Sequence, residues 1–531
     1  MRKARRFAAA TGFLLSAVAG IPAVAQQPGG MLRVYHRDSP ASMSIHEEAT
    51  LSTLLPVMGV FNNLVLYDQH VAQNRLQTIV PELATGWAWS EDGLQLTFRL
   101  RQGVKWHDGK RFTAADVKCT WDLLLGTASD KLRLNPRKSW YANLVAVATH
   151  GDGEATFVLR RPQPALLALL ASGLAPIYPC HVAPRDMRSH PIGTGPFKFV
   201  EYKPNQGIKV ERNPGYWKLG RPYLDGIEYA IIPNRSTAIL AFAAGKVDLT
   251  FPYDVAVPLL KDLKTQSPDA VCELAPLNAT RNLIVNRAVP PFDNPEIRHA
   301  MALSLDRRAF MTILGDGQGD IGGAMLPPPA GFWGLPPEQL TDLPGYDPDV
   351  EKNRSAARAI MAKAGYGADK PIVAKLAVRN IPIARDPAVI LADQLKTIYI
   401  DSQLDPVETA NWLPKVVRKD YAIGLNLTAN AIDDPDQHFY ENYACGTDRN
   451  LTGYCNPELE ALFERQSREA DQEKRRALVW EIDRRLQREG ARPIIFHYRA
   501  ATCWHPRLKG LTVMVNSIYN GWRFEDIWLD R

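Results

Sequence analysis

The chain of 531 residues holds six cysteines, and none precedes Cys119. That excludes a cysteine-dense disulfide scaffold and a lipid anchor on an N-terminal cysteine. No stretch reaches the roughly 18 uninterrupted apolar residues that mark a membrane span. G-x-S-x-G and S-x-x-K are both absent, which removes two serine-nucleophile signatures, and there is no Walker A loop. His46-Glu47-Glu48 lacks the second histidine of a zinc protease helix, and the 11 histidines form no local cluster between His36 and His505. No resident metal and no cofactor are therefore expected. The net charge is +6, but Arg2, Lys3, Arg5 and Arg6 supply four of those charges. The remaining +2, with no basic patch interleaved with aromatics, argues against a nucleic-acid partner.

What is present begins with an address. The basic residues up to Arg6, the apolar stretch Phe7 to Gly20 and the small-x-small triplet Ala23-Val24-Ala25 have the layout of a signal peptide cleaved after Ala25. Arg5-Arg6 leaves the twin-arginine route open beside the general one. The mature chain is thus expected in the periplasm, where disulfides persist. Cys445 and Cys455 flank a short turn-rich segment and are expected to pair. Cys119, Cys180, Cys272 and Cys503 stand singly; a small buried hydrophobe is the commonest role of such a residue, and the sequence places no further bridge among them.

The periodicities mix strand and helix. Leu94 to Arg101 alternates apolar and polar residues, as a half-buried strand does. Thr113 to Asp116 forms a capping box ahead of Val117, Trp121 and Leu124. Asn294-Pro295 announces a helix carrying Ile297, Met301 and Leu305, and Asn456-Pro457 announces another. A break near Asp471 precedes a charged helix with Leu478, Ile482 and Leu486 on one face. Gly317, Gly319 and Gly322 match G-x-G-x-x-G, yet they lead into Pro327-Pro328-Pro329 and predict a flexible surface loop instead of a phosphate cradle.

Four ordered blocks carry a family resemblance. PELATGWAWSEDGLQLTFRLRQGVKWHDGKRFTAADV from Pro81, GTGPFKFVEYKPNQGIKVERNPGYWKLGRPYLDGIEYAIIPN from Gly193 with AGKVDL after it, FDNPEIRHAMALSLDRRAF from Phe292, and YCNPELEALFERQ from Tyr454 resemble the extracytoplasmic solute-binding proteins of family 5, the dipeptide, oligopeptide and nickel class. The resemblance implies a two-lobed α/β periplasmic binding protein, type II, cluster C, with an extra subdomain in lobe one. Residues 26–60, 195–285 and 495–531 would form lobe one, 61–194 its extra subdomain, and 286–494 lobe two, with hinge crossings near Cys272 to Asn286 and Ile494 to Tyr498. It further implies a monomer that captures a small-molecule ligand without chemistry and hands it to the membrane permease of an ABC importer. A sensory or chaperone-like periplasmic binding protein is the alternative, and a hydrolase a third reading.

The ligand is expected to be peptide-like, opine-like or derived from an amino acid. Peptide-binding relatives place an aspartate for the peptide amine just before an Asp-Pro-Asp-like turn, and laid on Asp434-Pro435-Asp436 that position falls near Ala431. An ammonium buried there would lose a charge-assisted hydrogen bond of roughly 1.5–3 kcal/mol, so ordinary peptides are disfavoured. A chelated metal or haem held by aromatic and arginine contacts would look the same in sequence. Candidate contacts on lobe two are Arg379 with its neighbour Arg385, for a carboxylate; Trp412, for stacking; Asn430; and Asp433, Asp434 and Asp436, for a cation. On lobe one they are Tyr35, His36 and Arg37, which end the first strand. Trp412→Ala is expected to weaken binding and leave the melting point of the free protein nearly intact.

Overall fold

The computed structural model describes residues 26–530, so the signal-peptide reading lies outside the described residues. Local rules set the helix starts. Thr113 caps the helix Ala114–Leu125: its backbone N–H donates to Asp116 Oδ2 at 2.9 Å, and Gly126 ends the helix in the left-handed region at φ 76°. Asn294 caps Pro295–Leu303 by accepting from the Glu296 N–H at 2.9 Å. Asn456 and Asp471 do the same for Pro457–Arg468 and Gln472–Arg488.

Three larger sheets organise the chain. In the first, Met31–His36 lies parallel to Gly226–Ile231, followed by the antiparallel strands Gly207–Arg212 and Phe197–Lys203. In the second the order is Ile400–Val407, Ile372–Arg379, Ile423–Ala429, Val271–Val285 and Ile494–Trp504. The third, wholly antiparallel, joins Ala84–Trp89, Gln95–Leu100, Glu154–Leu159 and Leu144–His150 and shares no strand with the other two. Bridges from Val34 to Leu249 and from Leu249 to Trp504 tie the first sheet to the far end of the strand Ile494–Trp504. The two long strands therefore link the first sheet to the second. Val271 to Pro276 pairs with Trp504 to Arg499; after a shift in register, Thr280 to Asn282 pairs with His497 to Ile494. An interrupted ladder at the crossing is a place where backbone can bend with few hydrogen bonds to break.

Two expectations are corrected by this packing. The four cysteines read as single residues are bonded, Cys119 to Cys180 and Cys272 to Cys503, beside the Cys445 to Cys455 bridge. Cys272 and Cys503 are cross-strand partners although 231 residues apart, a closeness that only sheet register creates. The glycine-rich segment is a surface loop only over Asp316 to Gln318, and its far end is pinned to the last long strand. Asp320 exchanges backbone hydrogen bonds with His497 and pairs with Arg499 at 2.8 Å. A Cβ on Gly323 would meet the Asp483 carboxylate at 2.3 Å, so the glycine permits close approach.

Candidate functional site

Where the first and second sheets face each other the chain encloses a cavity of about 80 Å³, adjoined through Arg281 and Ile383 by an open groove of about 540 Å³. Arg37, Thr50 and Tyr253 line the cavity together with Trp412, Arg379 and Asn426. Arg281 stands on the strand Val271–Val285, where the ladder to Ile494–Trp504 shifts register. The cavity is thus built from distant parts of the chain.

Electrostatics tie its walls together. Asp38, just beyond the first strand, accepts hydrogen bonds from Arg379 Nη2 and from the Thr409 hydroxyl, both on the opposite lobe. Burial opposes ionisation of Asp38, but Arg379 and Arg37 outweigh it and hold the carboxyl well below the usual carboxylate range. Arg379 also donates to Thr409 Oγ1 at 2.7 Å and to Ser52 Oγ at 3.0 Å. Arg37 pairs with Asp254 at 3.3 Å and lies over the Phe251 ring. Arg449, inside the Cys445 to Cys455 loop, reaches the same cavity and pairs with Glu441 at 3.0 Å.

Of the residues proposed from sequence, the structure brings Arg37, Arg379 and Trp412 to the cavity wall. The others point elsewhere. The Tyr35 hydroxyl donates to Asp254 Oδ2 at 3.2 Å. His36 is fully buried, with Nε2 2.9 Å from the Ser52 carbonyl, and burial lowers its pKa and keeps it neutral. Asn430 donates to Asn278 Oδ1 at 3.0 Å, and its own Oδ1 sits 2.7 Å from His438 Nδ1. Arg385 is exposed and donates to Asn380 at 3.1 Å.

The three aspartates serve the lobe-two interior. Asp433 Oδ2 accepts from the Phe332 N–H at 3.1 Å, and burial with the nearby Asp434 charge pushes its carboxyl up to about 7. Asp434 and Asp436 are engaged by Arg475. Ala431, where peptide-binding relatives would hold an aspartate, is buried; its N–H donates to Gln437 and its carbonyl accepts from Ser517 and Asn520. Trp412 is both wall and core, packed with Ile284, Ala377, Val416 and Leu451, so the expectation that its removal spares the free protein is corrected. Sequence reasoning missed Asp38, Tyr253, Arg281, Arg449 and Tyr519. Asp38 directly follows Tyr35-His36-Arg37 and could have been found there; the others carry no local motif.

Residues 78–450 match the family model described as bacterial extracellular solute-binding proteins, family 5. The match covers more than half of the chain, and the protein belongs to that family, whose members are non-enzymatic solute-binding proteins. Di/tripeptide-binding protein 2 of Pseudomonas aeruginosa is 26% identical over 437 residues, covering 77% of this chain and 79% of the relative. Heme-binding protein A of Haemophilus influenzae is 28% identical over 436 residues, covering 76% and 75%. The fold matches the periplasmic binding protein AgaA from A. tumefacien R10 in complex with agropinic acid, with TM-score 0.82 and 22% identity over 94% of this chain and 99% of that one. It likewise matches DppA from Helicobacter pylori in complex with the peptide STSA, with TM-score 0.83 and 20% identity over 95% and 99%.

Proposed function

We propose that this protein is the periplasmic substrate-binding component of an ABC importer, closing two lobes over a small organic solute and presenting it unchanged to a membrane permease. The observation that carries the reading is a cavity walled by charged and aromatic side chains from both lobes, with two strands as the shared crossing. A ligand stabilises the closed form only through contacts that the open form lacks, and this cavity supplies such contacts on both sides. In this reading 26–60, 195–285 and 495–531 make up lobe one with 61–194 as its extra subdomain, 286–494 make up lobe two, and the strands Val271–Val285 and Ile494–Trp504 carry the chain of lobe one into the second sheet. The peptide-binding and opine-binding proteins of the same fold support a solute of peptide-like or opine-like size.

Small-angle scattering with and without solute tests this: the monomer should contract on binding, and the solute should be recovered chemically intact. A radius of gyration unchanged at saturating solute, or a converted solute, overturns the reading. Arg379 and Asp38 form a buried pair beside the cavity, so Arg379→Ala should weaken solute affinity and also lower folding stability, because it leaves the Asp38 carboxylate without its main counter-charge. Charged hydrogen bonds of about 1.5–3 kcal/mol correspond to roughly 10- to 150-fold in dissociation constant. Titration calorimetry beside a urea melt separates the two effects.

A further inference from the structure

Four arginines reach the cavity wall, and three have carboxylate partners: Arg37 with Asp254, Arg379 with Asp38, Arg449 with Glu441. Arg281 is the fourth. It is 1% exposed, and its Nε, Nη1 and Nη2 have no hydrogen-bond partner among the described residues. One face of its guanidinium lies over the Tyr498 ring, 4.3 Å from the centroid, with the Phe496 ring 6.0 Å away, and its N–H groups are buried without an acceptor. The nearby carboxylates are engaged: Asp254 by Tyr35 and Arg37, and Asp386, at the groove, by Arg235 at 3.0 Å. Among the described residues, no aspartate or glutamate lines the cavity.

We propose that Arg281 anchors a carboxylate of the solute, and that the cavity selects anionic solutes and offers an ammonium group no fixed counter-charge. The proposal rests on the solute-binding reading and deepens it. A buried cation without a partner is costly, and a ligand that supplies the missing acceptor relieves that cost only when bound. Arg281 sits on the strand at the crossing and borders both cavity and groove, so a carboxylate there touches the element about which the lobes close.

The test uses the full mature chain and matched probes: Met-Leu, N-acetyl-Met-Leu and Met-Leu amide, with agropinic acid and its amide. Melting shifts should appear with the acids, survive N-acetylation and fall at least ten-fold in apparent affinity for the amides. Arg281→Met should raise the melting point of the free protein while abolishing the shift, and Arg281→Lys should keep part of it. Should the methionine variant fail to fold, the wild-type comparison of acids with amides and the lysine variant still decide. Equal shifts from acids and amides, loss of binding on N-acetylation, no shift with any acid, or full binding by Arg281→Met each overturn the anchor. A neutral solute that contracts the protein in scattering would overturn it and leave the solute-binding reading standing.

Discussion

Arg475→Ala should lower folding stability by about 3–5 kcal/mol, the usual result of removing one partner of a buried ion pair. The guanidinium donates to both oxygens of Asp434, at 2.9 and 2.8 Å, to Asp436 Oδ1 at 3.3 Å and to Gln466 Oε1 at 3.0 Å, and lies over the Trp333 ring. Without it, two carboxylates face each other inside lobe two. Burial already pushes the Asp434 carboxyl up, with Arg475 opposing that rise. In the variant the opposition is gone, so the folded state takes up protons that the unfolded chain releases. A group with a raised folded pKa contributes stability below its unfolded pKa and loses it as pH rises through the folded one. The deficit should therefore be larger at neutral pH than in mild acid. Urea melts across that range measure it; a deficit below about 1 kcal/mol at neutral pH would show that the aspartates do not depend on Arg475. Solute affinity of the folded fraction should change little, because neither aspartate lines the cavity.

This cluster shows why the candidate site was only partly legible. Asp434-Pro435-Asp436 reads locally as a helix start, and Asp434 does cap Pro435–Asn442 by accepting from the Asp436 N–H. What engages the other lone pairs is Arg475 on Asp434, 41 residues onward, and Gln163, Gln466 and Ser467 beside Arg475 on Asp436, and no local pattern announces those meetings. Helix starts at Thr113, Asn294 and Asn456 were legible because cap and capped amide lie within three residues. Cys272 and Cys503, or Arg379 and Asp38, meet only once two sheets are built and the lobes are set against each other. The two-lobed α/β class was legible for another reason: four blocks in family order constrain the whole chain, whereas one side chain's partner depends on packing that each family member resolves differently.

Trp412→Ala should destabilise the protein by about 3–5 kcal/mol, the range for truncating a buried tryptophan. Trp412 is 7% exposed, and its partners Ile284, Ala377, Val416 and Leu451 lie on or beside the second sheet. All of them belong to the second sheet or pack on it, so opening the cleft does not release the indole from its core. The same ring also lines the cavity, and its loss should weaken a bound solute as well. The two contributions separate by experiment. Trp412→Phe keeps much of the core volume and should recover most of the stability, while solute affinity recovers only as far as the smaller ring still reaches the cavity. Thermal melts of the free protein measure the first term, and calorimetric titration of the folded protein the second. A melting point for Trp412→Ala equal to that of wild type would place the indole outside the core and return it to a purely ligand-facing role.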